Sequence, residues 1–308
     1  MKGLASQYRF LRLAPRGFPV IAKPAGGMIG SGGFRIMIVL LLLAASLIMV
    51  PLSGAETLHD RSLRKLQDRL AKTNPQDFTF IVVGDSRDGD EIFRKLLATA
   101  ASFNPLFLLH TGDMTRNGTP EEYDRFLGIV NDTVPEIPLF AIIGNHDIDR
   151  KGIPEGTQKR YYTDRIGPLY YVLDIPSLEL RLVALDNSDY RLSASQLTYL
   201  REKLEEKGAL RIVAMHVPPE VGRWKGHGFV KGKTDLVQAL AEQKVNLAIF
   251  SHYHLYDDDV IQGVRYVLSG GGGAPLHFQF PFGQAAYHIT VVRVHEGVVS
   301  HSMVRLAD

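Results

Sequence analysis

Five short apolar runs in this chain each stop abruptly at side chains able to bind a cation or move a proton. Phe78–Val83 runs into Gly84-Asp85, Leu106–Leu109 leads to Thr111-Gly112-Asp113, and Leu139–Ile143 closes on Gly144-Asn145-His146-Asp147. Ile212–Met215 stops at His216, and Ala248-Ile249-Phe250 at Ser251-His252-Tyr253-His254. Runs this short, rich in β-branched residues and bounded by turn residues, are buried strands. Helical periodicity over 58–72, 90–101, 194–206 and 234–243, and a start at Pro120 backed by two glutamates, set helices between them. Strand–loop–helix units repeated in this way build a mainly parallel sheet with helices on its faces. Further strands are expected at 169–175, 178–185, 264–268, 286–295 and 298–304, and neither a repeat nor a linker divides 56–308. The economical arrangement is α/β: one sandwich of two mixed sheets with helices outside, four layers in the order αββα.

The carboxyl ends of parallel strands share an edge, and ligands bind there. Asp85, Asp113, Asn145, His146, His216, His252 and His254 are therefore expected to converge on one cleft. Carboxylate and amide oxygens mixed with imidazoles suit Mn, Fe, Zn or a similar divalent ion, unlike the oxygen-only cage that calcium prefers. The chain has no Cys, which excludes disulfides, thiolate zinc sites and cysteine nucleophiles. It has no Gly-x-Ser-x-Gly elbow either, which argues against a serine hydrolase. Each motif alone has an ordinary explanation as a turn, a helix cap or a surface pair. Their order and placement carry the inference.

Charge separates the chain into two parts. Residues 1–55 hold Lys2, Arg9, Arg12, Arg16, Lys23 and Arg35 and no acidic residue, which leaves 29 Lys and Arg against 33 Asp and Glu beyond them. A body with that acidic balance has no nucleic-acid footprint. Within the basic part, Arg35 precedes the apolar run 36–50 and Ser53-Gly54-Ala55 follows it, the three parts of an export signal. Cleavage before Glu56 and a translation start at Met28 fit this reading. The alternative is an uncleaved membrane anchor through 36–55. Either way, 56–308 is expected outside the cytoplasm, periplasmic or extracellular, free or tethered.

Over about 78–273 the chain resembles the calcineurin-like metallophosphoesterases, on Gly84-Asp85-Ser86-Arg87, Gly112-Asp113, Gly144-Asn145-His146-Asp147, His216 and Ser251-His252-Tyr253-His254 taken in that order. Gly-Asn-His-Asp is the most specific single piece, and Gly167–Tyr171, Leu185-Asp186-Asn187 and Ser269–Gly273 also look like family elements. The resemblance implies one or two divalent metal ions. It implies Asp85 and His254 on the first metal, Asp113 bridging, and Asn145, His216 and His252 on the second. It also implies a phosphorylated small-molecule substrate, a phosphomonoester or phosphodiester, whose phosphorus is attacked in line by metal-bound hydroxide. His146 would then serve the leaving-group oxygen, with Asp147 orienting it.

Two positions depart from the family pattern. Ser251 replaces a glycine, a tolerable change. Arg87 stands where the family's Asp-x-His has its histidine, and a guanidinium has no lone pair to give a metal. Either the first metal then binds weakly or the enzyme works with one tight metal, and Arg87 itself is read as a clamp on substrate phosphate or as a salt-bridge partner of Asp88 or Asp90. The strand alternation between Asp85 and Arg87 favours the cleft. The same departure motivates a competing reading, a degenerate relative that binds metal or a phosphorylated ligand without turnover. The membrane segment motivates a third, a pyrophosphate or lipid-phosphate hydrolase at a membrane. The basic loop 217–233, with Arg223, Trp224, Lys225, His227, Lys231 and Lys233, is either a receptor for an anionic or base-containing substrate or a solvated loop. Asp257-Asp258-Asp259 reads as a charged surface turn. His59, His110, His277, His288, His295 and His301 read as structural, with His110 and His277 nearest the site blocks.

Overall fold

Along β1 (Asp77–Val83) the side chains alternate between two separate cores. Phe78, Phe80 and Val82 enter one, Ile81 and Val83 the other. Alternation is what a strand does, and two apolar faces mean a sheet covered on both sides. The computed structural model describes residues 56–150, 157–205 and 210–307. The expected leader and anchor, 1–55, lies outside the described residues. Among those described, no helix is long and apolar enough to cross a membrane.

One sheet has five strands in the order β11-β10-β1-β2-β3, with β2 at Leu108–His110, β3 at Leu139–Ala141, β10 at His288–His295 and β11 at Val298–Arg305. Its β1, β2 and β3 are parallel. The other has six in the order β4-β5-β6-β7-β9-β8: β4 at Tyr171–Ile175, β5 at Leu180–Ala184, β6 at Leu210–Ala214, β7 at Leu247–Phe250, β8 at Tyr256–Ile261 and β9 at Val264–Ser269. Here β5, β6, β7 and β9 are parallel, and both outer strands run antiparallel. Phe80, Phe107 and Phe140 of the first sheet meet Leu182, Ile212 and Ile249 of the second in a shared core.

Outside the first sheet pack α2 (Asp90–Ala101) and α3 (Pro120–Thr133) with Phe93, Leu97, Tyr123 and Phe126. Outside the second pack α5 (Ala194–Glu205) and α6 (Lys233–Glu242) with Leu197, Leu200, Leu236 and Leu240. The four-layer αββα sandwich is therefore the observed fold. The helix α1 (Leu58–Leu70) and the short α4 (Arg160–Arg165) complete the set. Thr119 caps α3 through a reciprocal capping box with Glu122, one residue ahead of Pro120.

The expected surface turn at Asp257–Asp259 is instead part of the edge strand β8. Its first aspartate is buried and accepts from Trp224 Nε1 at 2.7 Å and from Arg223 at 2.8 and 2.7 Å. Compensated in this way, an inward-facing charge is tolerated on an edge, where it also discourages further strand pairing.

Candidate metal centre

β1, β2 and β3 end at one rim of the first sheet, β6 and β7 at the adjoining rim of the second, and the predicted side chains meet between them. Asp85, Asp113, His216, His252 and His254 are all buried. Hydrogen bonds cross between the sheets: Asp85 Oδ2 accepts the His252 N–H at 2.8 Å, and Asp113 Oδ1 lies 3.3 Å from His216 Nε2. Asn145 Oδ1 is 3.0 Å from the same His216 nitrogen, and His252 Nδ1 is 3.2 Å from it.

Two groups have donor atoms all within 4.8 Å of one another: Asp113, His216 and His252 form one, Asp85, Asp113 and His254 the other. Asp113 belongs to both, as a carboxylate shared between two ions must. Asp85 Oδ1, Asp113 Oδ2 and His252 Nε2 are buried and have no hydrogen-bond partner. Orphaned buried acceptors are costly, and cations would satisfy all of them. The donor set thus fits divalent metal.

The turns that deliver these groups are unusual. Asp85, Asp113, His252 and His254 all take positive φ, 59°, 57°, 73° and 48°. Non-glycine residues in the left-handed region cluster at functional sites because the surrounding structure must hold them there. Gly144 leaves room for this, since a Cβ there would collide with Asp113 Oδ1.

Supporting bonds set the imidazole tautomers. His254 Nδ1 donates to the Pro275 carbonyl at 2.7 Å, which turns Nε2 toward Asp85 Oδ1, 3.5 Å away. His216 Nδ1 donates to the Thr111 carbonyl at 2.9 Å. Such outer bonds orient ligating histidines.

Burial, with Asp113 alongside, pushes the Asp85 carboxyl up to about 8 against the opposing pull of His216. Burial alone would lower His216, but the Asp113 carboxylate outweighs it and raises the imidazole to about 9. Asp113 shows the reverse balance: burial would raise it, and His216 holds it low. His254 is lowered to about 3, by burial first and by His277 beside it.

Asp147 corrects one expectation. It was to orient His146, yet its carboxylate takes the backbone N–H groups of Gly144, Asp113 and Thr115 at 2.8, 2.9 and 2.9 Å and the Thr115 hydroxyl at 3.0 Å. It bolts the β2 turn to the β3 turn. His146 is held instead by Nδ1 donating to the Arg116 carbonyl at 2.9 Å. Arg87 does reach the cleft, with Nε 3.5 Å from Asp113 Oδ2, and also pairs with Asp88 at 2.7 Å. Trp224 is core, packed on Phe250 and Tyr266, so it is not a surface for substrate.

The loop carrying Trp224 touches the centre through His227, stacked on His252 at 4.3 Å between ring centroids. His277 stacks on His254 at 4.1 Å. Half-exposed Tyr190 stands edge-on to His252 at 5.2 Å. Sequence reading had no role at the centre for His277 or Tyr190. His110, also read as structural, lies behind the centre, where Gly112 N–H donates to its Nδ1 at 3.3 Å and its Nε2 meets Ser86 Oγ at 2.9 Å. It ties the β1 and β2 turns together.

Among proteins of known name, the chain is 29% identical over 161 residues to a probable cyclic nucleotide phosphodiesterase of a Synechococcus strain, covering 49% of this chain and 58% of that one. A second, from Rhodococcus erythropolis, is 32% identical over 145 residues, covering 44% and 46%. The chain thus spans about half the length of the curated relatives it matches. Its fold is that of the purple acid phosphatase PPD1 from yellow lupin seeds, with a TM-score of 0.61 at 15% identity over 75% of this chain and 52% of that one. GAP50, the anchor in the inner membrane complex of Plasmodium, aligns with a TM-score of 0.55 at 14% identity over 75% and 85%. The family profile for calcineurin-like phosphoesterases matches residues 78–256, more than half of the sequence, and the chain belongs to that family of divalent-metal hydrolases acting on phosphate esters.

Proposed function

We propose that this chain is an exported, metal-dependent phosphodiesterase whose metal centre is framed by Asp85, Asp113, Asn145, His216, His252 and His254. The observation that carries the reading is the pair of buried donor groups sharing Asp113, with unpartnered atoms facing inward. The two relatives, each named a probable cyclic nucleotide phosphodiesterase, support a diester over a monoester. The basic flank, apolar run and small-residue site over 35–55 support export. Divalent cations in such a centre activate water and offset phosphate charge.

The chain's own groups do the rest. With Nδ1–H committed to the Arg116 carbonyl, His146 has Nε2 left for the departing oxygen. A proton carried there would neutralise that oxygen as the ester bond breaks. Asp147 keeps the Asp113 and Asn145 turns in register. The test is turnover by the full chain, supplied in turn with Mn, Zn and Fe, on bis(p-nitrophenyl) phosphate and on p-nitrophenyl phosphate. Hydrolysis should require metal and favour the diester. His146→Ala should keep its metal while kcat/KM falls about 100- to 10,000-fold. A folded, metal-loaded chain that hydrolyses neither ester would establish the second reading, ligand binding without turnover, which Arg87 motivates.

A further inference from the structure

The side of the centre containing Asp85 and His254 carries a cation of its own. Arg87 Nε faces Asp113 Oδ2 at 3.5 Å; both atoms are buried and neither has a hydrogen-bond partner. The Arg87 side chain is only 15% exposed, and the residue makes two further bonds, one of them to a carboxylate that is itself anchored. Its backbone N–H donates to the Asp113 carbonyl at 3.1 Å. Nη1 donates to Asp88 Oδ2 at 2.7 Å, and Asp88 Oδ1 accepts Arg116 Nε at 2.6 Å. The carbonyl of Arg116 in turn holds His146. One carboxylate, Asp88, therefore aligns the guanidinium with the same short segment that positions His146.

This wiring has a consequence for charge. An ion among Asp85, Asp113 and His254 would share the Asp113 carboxylate with a cationic guanidinium that offers no lone pair. On the other side, Asp113, Asn145, His216 and His252 converge, and the nearby Arg150 reaches only the backbone carbonyl of Asn145, at 3.5 Å, not the side-chain donors. We propose that the two sides divide the work: one divalent ion is bound tightly by Asp113, Asn145, His216 and His252, and Arg87 is the permanent cation of the Asp85–His254 side, where its guanidinium takes an oxygen of the substrate's phosphate. Asp88 is the positioning residue, since it holds Nη1 and leaves Nη2 uncommitted. The phosphate half rests on the phosphoesterase reading above. The ion count does not.

The experiment separates the two. The full chain, stripped with chelator, is titrated with Mn²⁺ alone by calorimetry, and bound manganese is counted by elemental analysis after gel filtration. One tight ion per wild-type chain is expected, two for Arg87→His, and one for Arg87→Lys, which retains the charge and controls for misfolding. Two equally tight ions in wild type, or one in folded Arg87→His, overturn the division. Inorganic phosphate is then titrated into the manganese-loaded protein. Its affinity should fall about 10- to 100-fold in Arg87→Gln, the scale of a lost charged hydrogen bond, and by less in Asp88→Asn. Unchanged affinity in Arg87→Gln, or no phosphate binding in wild type, overturns the phosphate role. Failure to hydrolyse esters would leave the manganese count standing and defeat only the functional reading.

Discussion

The two sides of the centre are built from the same parts and differ in their neighbour. Both use Asp113 and both take a left-handed histidine from the segment after β7; the third donor is His216 on one side and the left-handed Asp85 on the other. On the His216 side the next group inward is the amide oxygen of Asn145. On the Asp85 side it is the guanidinium of Arg87. A neutral donor adds a ligand, whereas a fixed cation adds repulsion toward metal and attraction toward anions. One substitution in a shared frame is enough to change what that half of the frame is good for.

Removing the shared part should have the largest effect. Asp113→Ala takes a ligand from both sides, so manganese binding should disappear and kcat/KM should fall by about three powers of ten, matching several kcal/mol of metal-derived charge stabilisation. Calorimetry and steady-state kinetics check it; full manganese content in the variant would refute the shared role of Asp113.

The comparison sharpens when the sides are broken separately. His216→Ala should cost the tight ion more than the 10- to 100-fold that loss of an outer-shell partner typically brings. His254→Ala should leave that ion bound. Equal losses in both variants would mean that the sides do not differ.

The smallest effect is a crossover in pH dependence. Free Asp and His titrate near 3.8 and 6.5, whereas folding raises Asp85 to about 8 and His216 to about 9. The metal-free fold therefore holds extra protons between pH 7 and 9, and the stability they bring is lost as pH rises through the folded values. Metal binding requires those protons to leave, so its stabilisation grows over the same window. Melting temperatures with chelator and with Mn²⁺ at pH 7, 8 and 9 should diverge by several degrees. A gap that narrows toward pH 9 would contradict it.

Much of this centre was legible in the sequence because strands advertise their ends. Apolar runs followed by Asp, Asn or His located every group in the two donor sets. Where the reading failed, the cause lies in contacts between distant segments. Asp257 can sit buried in a strand because Arg223 from a distant loop offsets its charge and Trp224 beside it donates a hydrogen bond, and local composition says nothing of that. Asp147 sits next to His146 in the chain but bonds backbone of the β2 turn, 34 residues away in the case of Asp113. Arg87 reaches the cleft as expected but not for the expected reason. Asp85 is left-handed, so strand alternation does not apply, and the bond to the Asp113 carbonyl with the Asp88 clamp directs it instead.

The four left-handed donors of the centre also set a direction for mutational drift. Glycine occupies that backbone region without the steric cost a side chain bears, a difference of about 1 kcal/mol or more per position. A screen that rewards heat resistance alone would find ready gains by placing glycine at Asp85, Asp113, His252 and His254, and each gain would erase a donor. Left-handed residues away from the centre, among them Asn104, Glu179, Lys244, Gln262 and Glu296, offer the same backbone gain without that loss, so a thermostabilising library belongs there and not at the four donors.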